Sequence, residues 1–199
     1  MAVSKLSLAS VRNGFAKSNT FWDQTTFAPV FDSIKTIVVG SSNVTTITFS
    51  GIPQSYQHLQ IRGISRSTIA GSRSGVLHQF NGDSGNNYVT HGLYGDGTAA
   101  GVYSLTSTNI GGGNVNAASG ALANEFGASI VDILDYTSVN KYKTVRCFSG
   151  VENNSDGQIR FASGLWLNTA AITSIVIQDF NGGNLVQYSQ FALYGIKGA

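Results

Sequence analysis

Two of the three histidines, His78 and His91, bracket a polar loop, Asn81-Gly82-Asp83-Ser84-Gly85-Asn86-Asn87, which Phe80 and Tyr88 flank. Asn81, Asp83 and Asn87 offer oxygens at odd positions, as a calcium loop does. An EF-hand loop, however, needs glycine at its sixth position and a bidentate acid at its twelfth. Counted from Asn81, those positions hold Asn86 and Gly92, and Asp83 is the only carboxylate in the loop. The segment therefore reads as a glycine-asparagine turn between strands, a hairpin-like connection. A zinc site fares no better, because His58, His78, His91 and Cys147 show neither C-x-x-C nor H-x-x-x-H spacing. His78 alternates with Val76 and Phe80, which suggests a core-edge histidine with a satisfied ring nitrogen.

Nucleophilic catalysis lacks a G-x-S-x-G elbow, and Cys147 sits mid-strand as a small buried hydrophobe. A carboxylate pair for glycoside hydrolysis would come from Glu125, Asp132, Asp135, Glu152 or Asp156. Asp132 and Asp135 lie three apart at a strand and so point to opposite faces. Gly111-Gly112-Gly113 has no P-loop lysine and no strand-to-helix context. No catalytic residue, metal or cofactor is expected. Loop aromatics are the better lead: Tyr88 and Tyr94, with Asp83 and Asn87 as hydrogen-bonding partners, are the candidate glycan contacts. Ordinary core and rim packing is the competing and commoner role for such rings.

The elements that must position these residues are strands. Hydrophobic residues make up 42% of the 199 and charged ones only 11%, with 24 Gly, 2 Pro and just two glutamates, Glu125 and Glu152. That mixture suits short strands joined by Gly and Asn turns and does not suit helices. Alternation predicts strands over Ser33–Val39, Val44–Ser50, Gln57–Ser65, Gly75–Asn81, Leu93–Leu105, Gly127–Asp135, Lys143–Val151, Gln158–Leu167, Ala171–Phe180 and Leu185–Lys197. Gly40-Ser41-Ser42-Asn43 and Asn181-Gly182-Gly183-Asn184 read as hairpin turns. Thr106–Ala123 is so poor in bulky side chains that it reads as a surface loop, with at most a short strand near Ser107–Ile110. The expected fold is all-β, a single jelly-roll-like β-sandwich of about eight to ten antiparallel strands over residues 31–199; an eight-stranded barrel is the second choice.

Residues 1–30 differ in character, with Arg12 and Lys17 among the basic residues and the aromatic pair Phe21-Trp22, and they read as an N-terminal arm that packs on something. A net charge of +2 from scattered Lys and Arg supplies no field for nucleic acid or an anionic membrane. One cysteine excludes an intramolecular disulfide framework. No apolar run approaches the ~18 residues of a membrane span, and Met1–Ser10 lacks a signal-peptide core, so a soluble protein made without a cleaved secretion signal is expected.

Six stretches carry a family resemblance: T-F-W-D-Q-T (Thr20–Thr25), I-P-Q-S-Y-Q-H-L-Q-I-R-G (Ile52–Gly63), F-N-G-D-S-G-N-N-Y (Phe80–Tyr88), D-I-L-D-Y-T-S-V-N-K-Y-K-T (Asp132–Thr144), S-G-L-W (Ser163–Trp166) and Q-F-A-L-Y-G-I-K-G (Gln190–Gly198). Through them the chain resembles a family of tailed-phage virion structural proteins common among viruses of cyanobacteria and other aquatic bacteria. The resemblance implies a non-enzymatic part of the tail or fibre apparatus, assembled into the virion in the host cytoplasm. Its partners would be other virion proteins and copies of itself, a trimer favoured, with host-surface glycan as a further contact. Phe21, Trp22, Arg12 and Lys17 in the arm would anchor it to the particle. A capsid decoration protein that clamps the head shell is the alternative, and a glycan-cleaving enzyme a third reading from another class.

Overall fold

Alternating β-branched and polar residues from Phe31 onward do form strands, and glycine and asparagine turns set their ends. The computed structural model describes residues 30–153 and 156–198, and a compact unit begins at Phe31. It is all-β. Twelve strands are present among the described residues: β1 (Phe31–Val38), β2 (Thr46–Ser50), β3 (His58–Ser65), β4 (Arg73–Phe80), β5 (Tyr88–Gly95), β6 (Ala100–Ser107), β7 (Ile110–Ala117), β8 (Gly127–Ile133), β9 (Lys143–Val151), β10 (Gln158–Trp166), β11 (Ser174–Asp179) and β12 (Gln190–Ile196).

They make two antiparallel sheets, ordered β1-β12-β3-β8-β9-β10-β5-β6 and β2-β11-β4-β7. Taken alone, β1-β12-β3-β8 facing β2-β11-β4-β7 is the eight-stranded jelly roll, in which the chain alternates between sheets and returns beside itself. Two hairpins are inserted into it. One, β5-β6, lies between β4 and β7; the other, β9-β10, lies between β8 and β11; they pair side by side and double the width of one sheet.

The count exceeds the expected eight to ten for two reasons. Leu93–Leu105 is not one strand but part of a hairpin, because the Asp96 carboxylate accepts the Thr98 and Ala99 amides (3.0 and 2.8 Å) and Gly97 adopts positive φ (85°). Thr106–Ala123 is not a surface loop either. It contains β7, whose Ile110, Asn114, Val115, Asn116 and Ala117 are all buried. Its small residues are a packing requirement: a Cβ at Gly113 would lie 2.8 Å from the Ala162 Cβ and 2.9 Å from the Cys147 Cβ, while one on Gly127 would lie 2.6 Å from the Asn116 Cα. The sheets approach here more closely than bulkier side chains permit.

The expected hairpin turns are corrected as well. Gly40–Asn43 joins β1 to β2, Asn81–Asn87 joins β4 to β5, and Asn181–Asn184 lies between β11 and β12; each connection passes from one sheet to the other. Tight turn chemistry is shared by hairpins and by such arches, so pairing has to be read from long-range partners. Between the sheets lies one main core, with Leu59, Ile61, Phe80, Tyr88, Ile110, Ile133, Trp166 and Phe191 fully or almost fully buried. Phe21, Trp22, Arg12 and Lys17 fall outside the described residues.

Candidate functional site

The Asn81–Asn87 connection is a structural knot. Asn81 and Gly82 both adopt positive φ (53° and 69°), which turns the chain sharply after β4. The Asn81 side chain bonds across to the start of β11, accepting from the Thr173 and Ser174 amides (2.8 and 3.1 Å) and donating to the Ala171 carbonyl (2.8 Å). The Asp83 carboxylate accepts the Trp166 indole N–H at 2.8 Å, the Gly85 amide at 2.9 Å and the Asn87 side-chain amide at 3.0 and 3.1 Å. These donors, the indole first, hold its pKa below the ordinary carboxylate value. Tyr88 is fully buried, its ring stacked on Trp166 (6.2 Å, 17°) and its hydroxyl oxygen accepting the Phe80 amide at 3.0 Å. That hydroxyl also donates toward the Asp83 and Phe80 carbonyls, and burial pushes its pKa up to about 12. Of the four candidate glycan contacts, Tyr88 is therefore inaccessible, and Asp83 and Asn87 are spent on the knot; only Tyr94 lines a cleft.

His78 is not at the core edge but wholly inside. Its Nδ1 lies 3.3 Å from the Asn114 side-chain nitrogen, its Nε2 has no hydrogen-bond partner, and the same Asn114 nitrogen approaches Cys147 Sγ at 3.8 Å. Pairing of β4 with β7, and packing of that sheet on β9, thus unite a cysteine, a histidine and an asparagine that lie far apart in sequence. Their protonation is the reverse of a thiolate-imidazolium pair: burial lowers the imidazole pKa to about 4 and raises the thiol to about 12. Both groups are neutral at pH 7 and sealed from solvent, so the trio is a core polar contact.

Two basic side chains, one buried and one half-buried, are structural. Lys143 is fully buried, its ammonium donating to the Ser138, Lys141 and Thr169 carbonyls (2.7, 2.8 and 3.0 Å). Desolvation lowers its pKa, and the three carbonyls use all three of its donors. Arg66 clasps the 119–125 segment through the Ser119, Ala121, Leu122 and Glu125 carbonyls. Lys143 was within reach of the sequence pattern, since it precedes the inward Val145 and Cys147 by two and four residues on the same strand. Of the carboxylates, Asp132 accepts from Gln60 across the β3-β8 pair (2.8 Å) and Asp135 binds Lys141 (2.8 Å). Among the described residues no cluster of three or more His, Cys, Asp or Glu could hold a metal.

One cleft of about 420 Å³ lies where β10, β5 and β6 meet the start of β4; Leu105, Phe180 and the tyrosine rings make most of its wall, and Arg73, Tyr94, Asp96, Tyr103, Gln158 and Arg160 supply its polar groups. The Arg160 guanidinium lies 5.9 Å from the ring centroids of both Tyr94 and Tyr103. Burial lowers its pKa, and the neighbouring Arg73 charge adds to that. Arg73 itself is held by Asp156 (3.1 Å) and the Gly157 carbonyl (3.2 Å). Neither family models, nor curated proteins, nor solved structures gave a match to this chain. The site therefore has to be judged on its own chemistry. Oriented cations, a carboxylate and tyrosine rings provide hydrogen bonds and a stacking surface of the kind that holds a polyhydroxyl ligand.

Proposed function

We propose that the chain is a non-enzymatic structural protein of a phage virion, built into the tail or fibre apparatus, and that the Arg160 cleft contacts host-surface glycan. The observation that carries this reading is where the resembling stretches fall. Ile52–Gly63 leads into β3, Asp132–Thr144 joins β8 to β9, Ser163–Trp166 ends β10 and Gln190–Gly198 contains β12. These strands are neighbours, in the order β12-β3-β8-β9-β10. Phe80–Tyr88 is the β4–β5 connection, and Thr20–Thr25 lies outside the described residues. A resemblance that falls mainly on neighbouring strands of one sheet suits a protein whose role is shape and assembly, and jelly rolls recur in viral capsid and lectin domains.

Antibody labelling of purified particles tests the structural role. Label on tails or fibres is the expected result, label on heads replaces it with the decoration role, and unlabelled particles overturn both. Glycan contact is tested separately on an array with the purified full chain. Tyr94→Ala and Arg160→Ala are each expected to weaken binding on the order of tenfold, the worth of one hydrogen bond to a charged or desolvated group lost at the ligand. Absence of binding above background, or binding unchanged in both variants, rules that contact out.

A further inference from the structure

The widened sheet carries apolar residues on its solvent side, and strand register places them in a line. Ile130 on β8 pairs with Phe148 on β9, Phe148 with Phe161 on β10, Phe161 with Leu93 on β5, and Leu93 with Val102 on β6. Their exposures are 37%, 41%, 54%, 56% and 85% in that order. Ile64 and Ile159 widen the row on one side. On the other side runs a parallel polar row, Gln60, Asp132, Arg146, Ser163, His91 and Ser104. At the middle of the apolar row the Phe148 and Phe161 rings pack against each other, centroids 5.0 Å apart.

The geometry points to this face as the seat of a second copy of the chain. Aromatic residues at the centre with charged groups displaced to a rim is the anatomy of a protein interface. Seven apolar side chains, 37% to 85% exposed, form a patch at or above the ~300–600 Å² that the largest patch on a monomer usually reaches, and the rim brings the face toward the ~800 Å² that one partner contributes to a standard interface. The rim favours self-association over an oppositely charged partner, because Asp132 and Arg146 sit opposite each other in the β8-β9 pairing and give the edge both signs. A net charge of +2 on 199 residues adds little repulsion between copies. The inference does not rest on the virion reading, since it concerns the isolated chain.

Sedimentation velocity on the full chain tests it. The wild type is expected at a multiple of the chain mass, and the multiple distinguishes a two-fold pair from the trimer implied by the resemblance. Phe161→Asp and Val102→Asp are each expected to weaken association on the order of 100-fold and leave single chains, with far-UV circular dichroism unchanged. Thr48→Asp, on the exposed side of the other sheet, should leave the mass as it was. Val102 is so exposed that its variant folds even if that of Phe161 does not. A wild type with the mass of one chain, or an assembly that survives Val102→Asp, overturns the proposal.

Discussion

Trp166→Ala is expected to lower the unfolding free energy by about 3–5 kcal/mol, enough to consume much of a typical domain's stability. The side chain is fully buried against Phe80 and Tyr88, with ring centroids at 5.6 and 6.2 Å, so truncation opens a cavity at the end of β10 where the Asn81–Asn87 connection folds over it. It also removes the indole donor from Asp83. Trp166→Phe weights the two effects differently, because one aromatic ring stays in the core while the N–H and part of the indole volume are lost, at about 1–3 kcal/mol for the unpaired acceptor plus a smaller cavity than alanine leaves. The Phe variant carries a further signature. Asp83 has a folded pKa below its unfolded value, so its contribution is present above the unfolded pKa and is lost as pH falls through the folded one. Without the indole, the largest cause of that lowering, the folded pKa rises and the contribution shrinks. Urea titrations of the three proteins at neutral and acid pH measure this; a Trp166→Ala protein as stable as wild type would mean that the knot carries no load.

What could be read from the sequence was local. Alternation in His58–Ser65, Lys143–Val151 and Gln158–Trp166 located strands within a residue or so, because period two follows directly from the pleat. Partner choice could not be read this way. Gly40–Asn43 has the composition of a hairpin turn and yet bridges two sheets, since the partners of β1 and β2 are β12 and β11, over a hundred residues away in sequence. The buried strand β7 was hidden for a different reason. Core residues are sought among large side chains, whereas Ala117 is small and fully buried, and Gly113 faces an opposite sheet too close for anything larger. Tyr88 looked like a surface ring because polar turn residues precede it, but its hydroxyl satisfies the backbone on both sides of that turn. Gly127–Asp135 was legible as a strand, and β8 covers most of it. That Ile130 remains exposed was not, because what covers a face is not encoded in its own alternation.

The second large effect is a loss of about 3 kcal/mol of stability between pH 6.5 and pH 4, caused by His78 alone. The ring is fully buried, only the Asn114 side chain is within hydrogen-bonding distance of it, and desolvation lowers its pKa from 6.5 to about 4. Above pH 6.5 both folded and unfolded chains hold it neutral, and stability does not depend on it. Below pH 6.5 the unfolded chain binds a proton that the folded one refuses, so stability falls with pH by up to about 1.4 kcal/mol per unit until the folded pKa is reached. Asp83, Asp96 and Asp135 have pKa values lowered by their hydrogen bonds, so their own losses are centred at lower pH and leave this window largely clear. His78→Leu removes the titration while nearly conserving volume. Its baseline stability changes because Asn114 loses a partner, but the difference in slope from wild type between pH 6.5 and 4 reports the histidine independently of that baseline. Urea midpoints at half-unit intervals, converted with a common m-value, measure both slopes. Equal slopes in the two proteins would mean that the native interior admits the proton, and that His78 is solvated or partnered in a way its burial forbids.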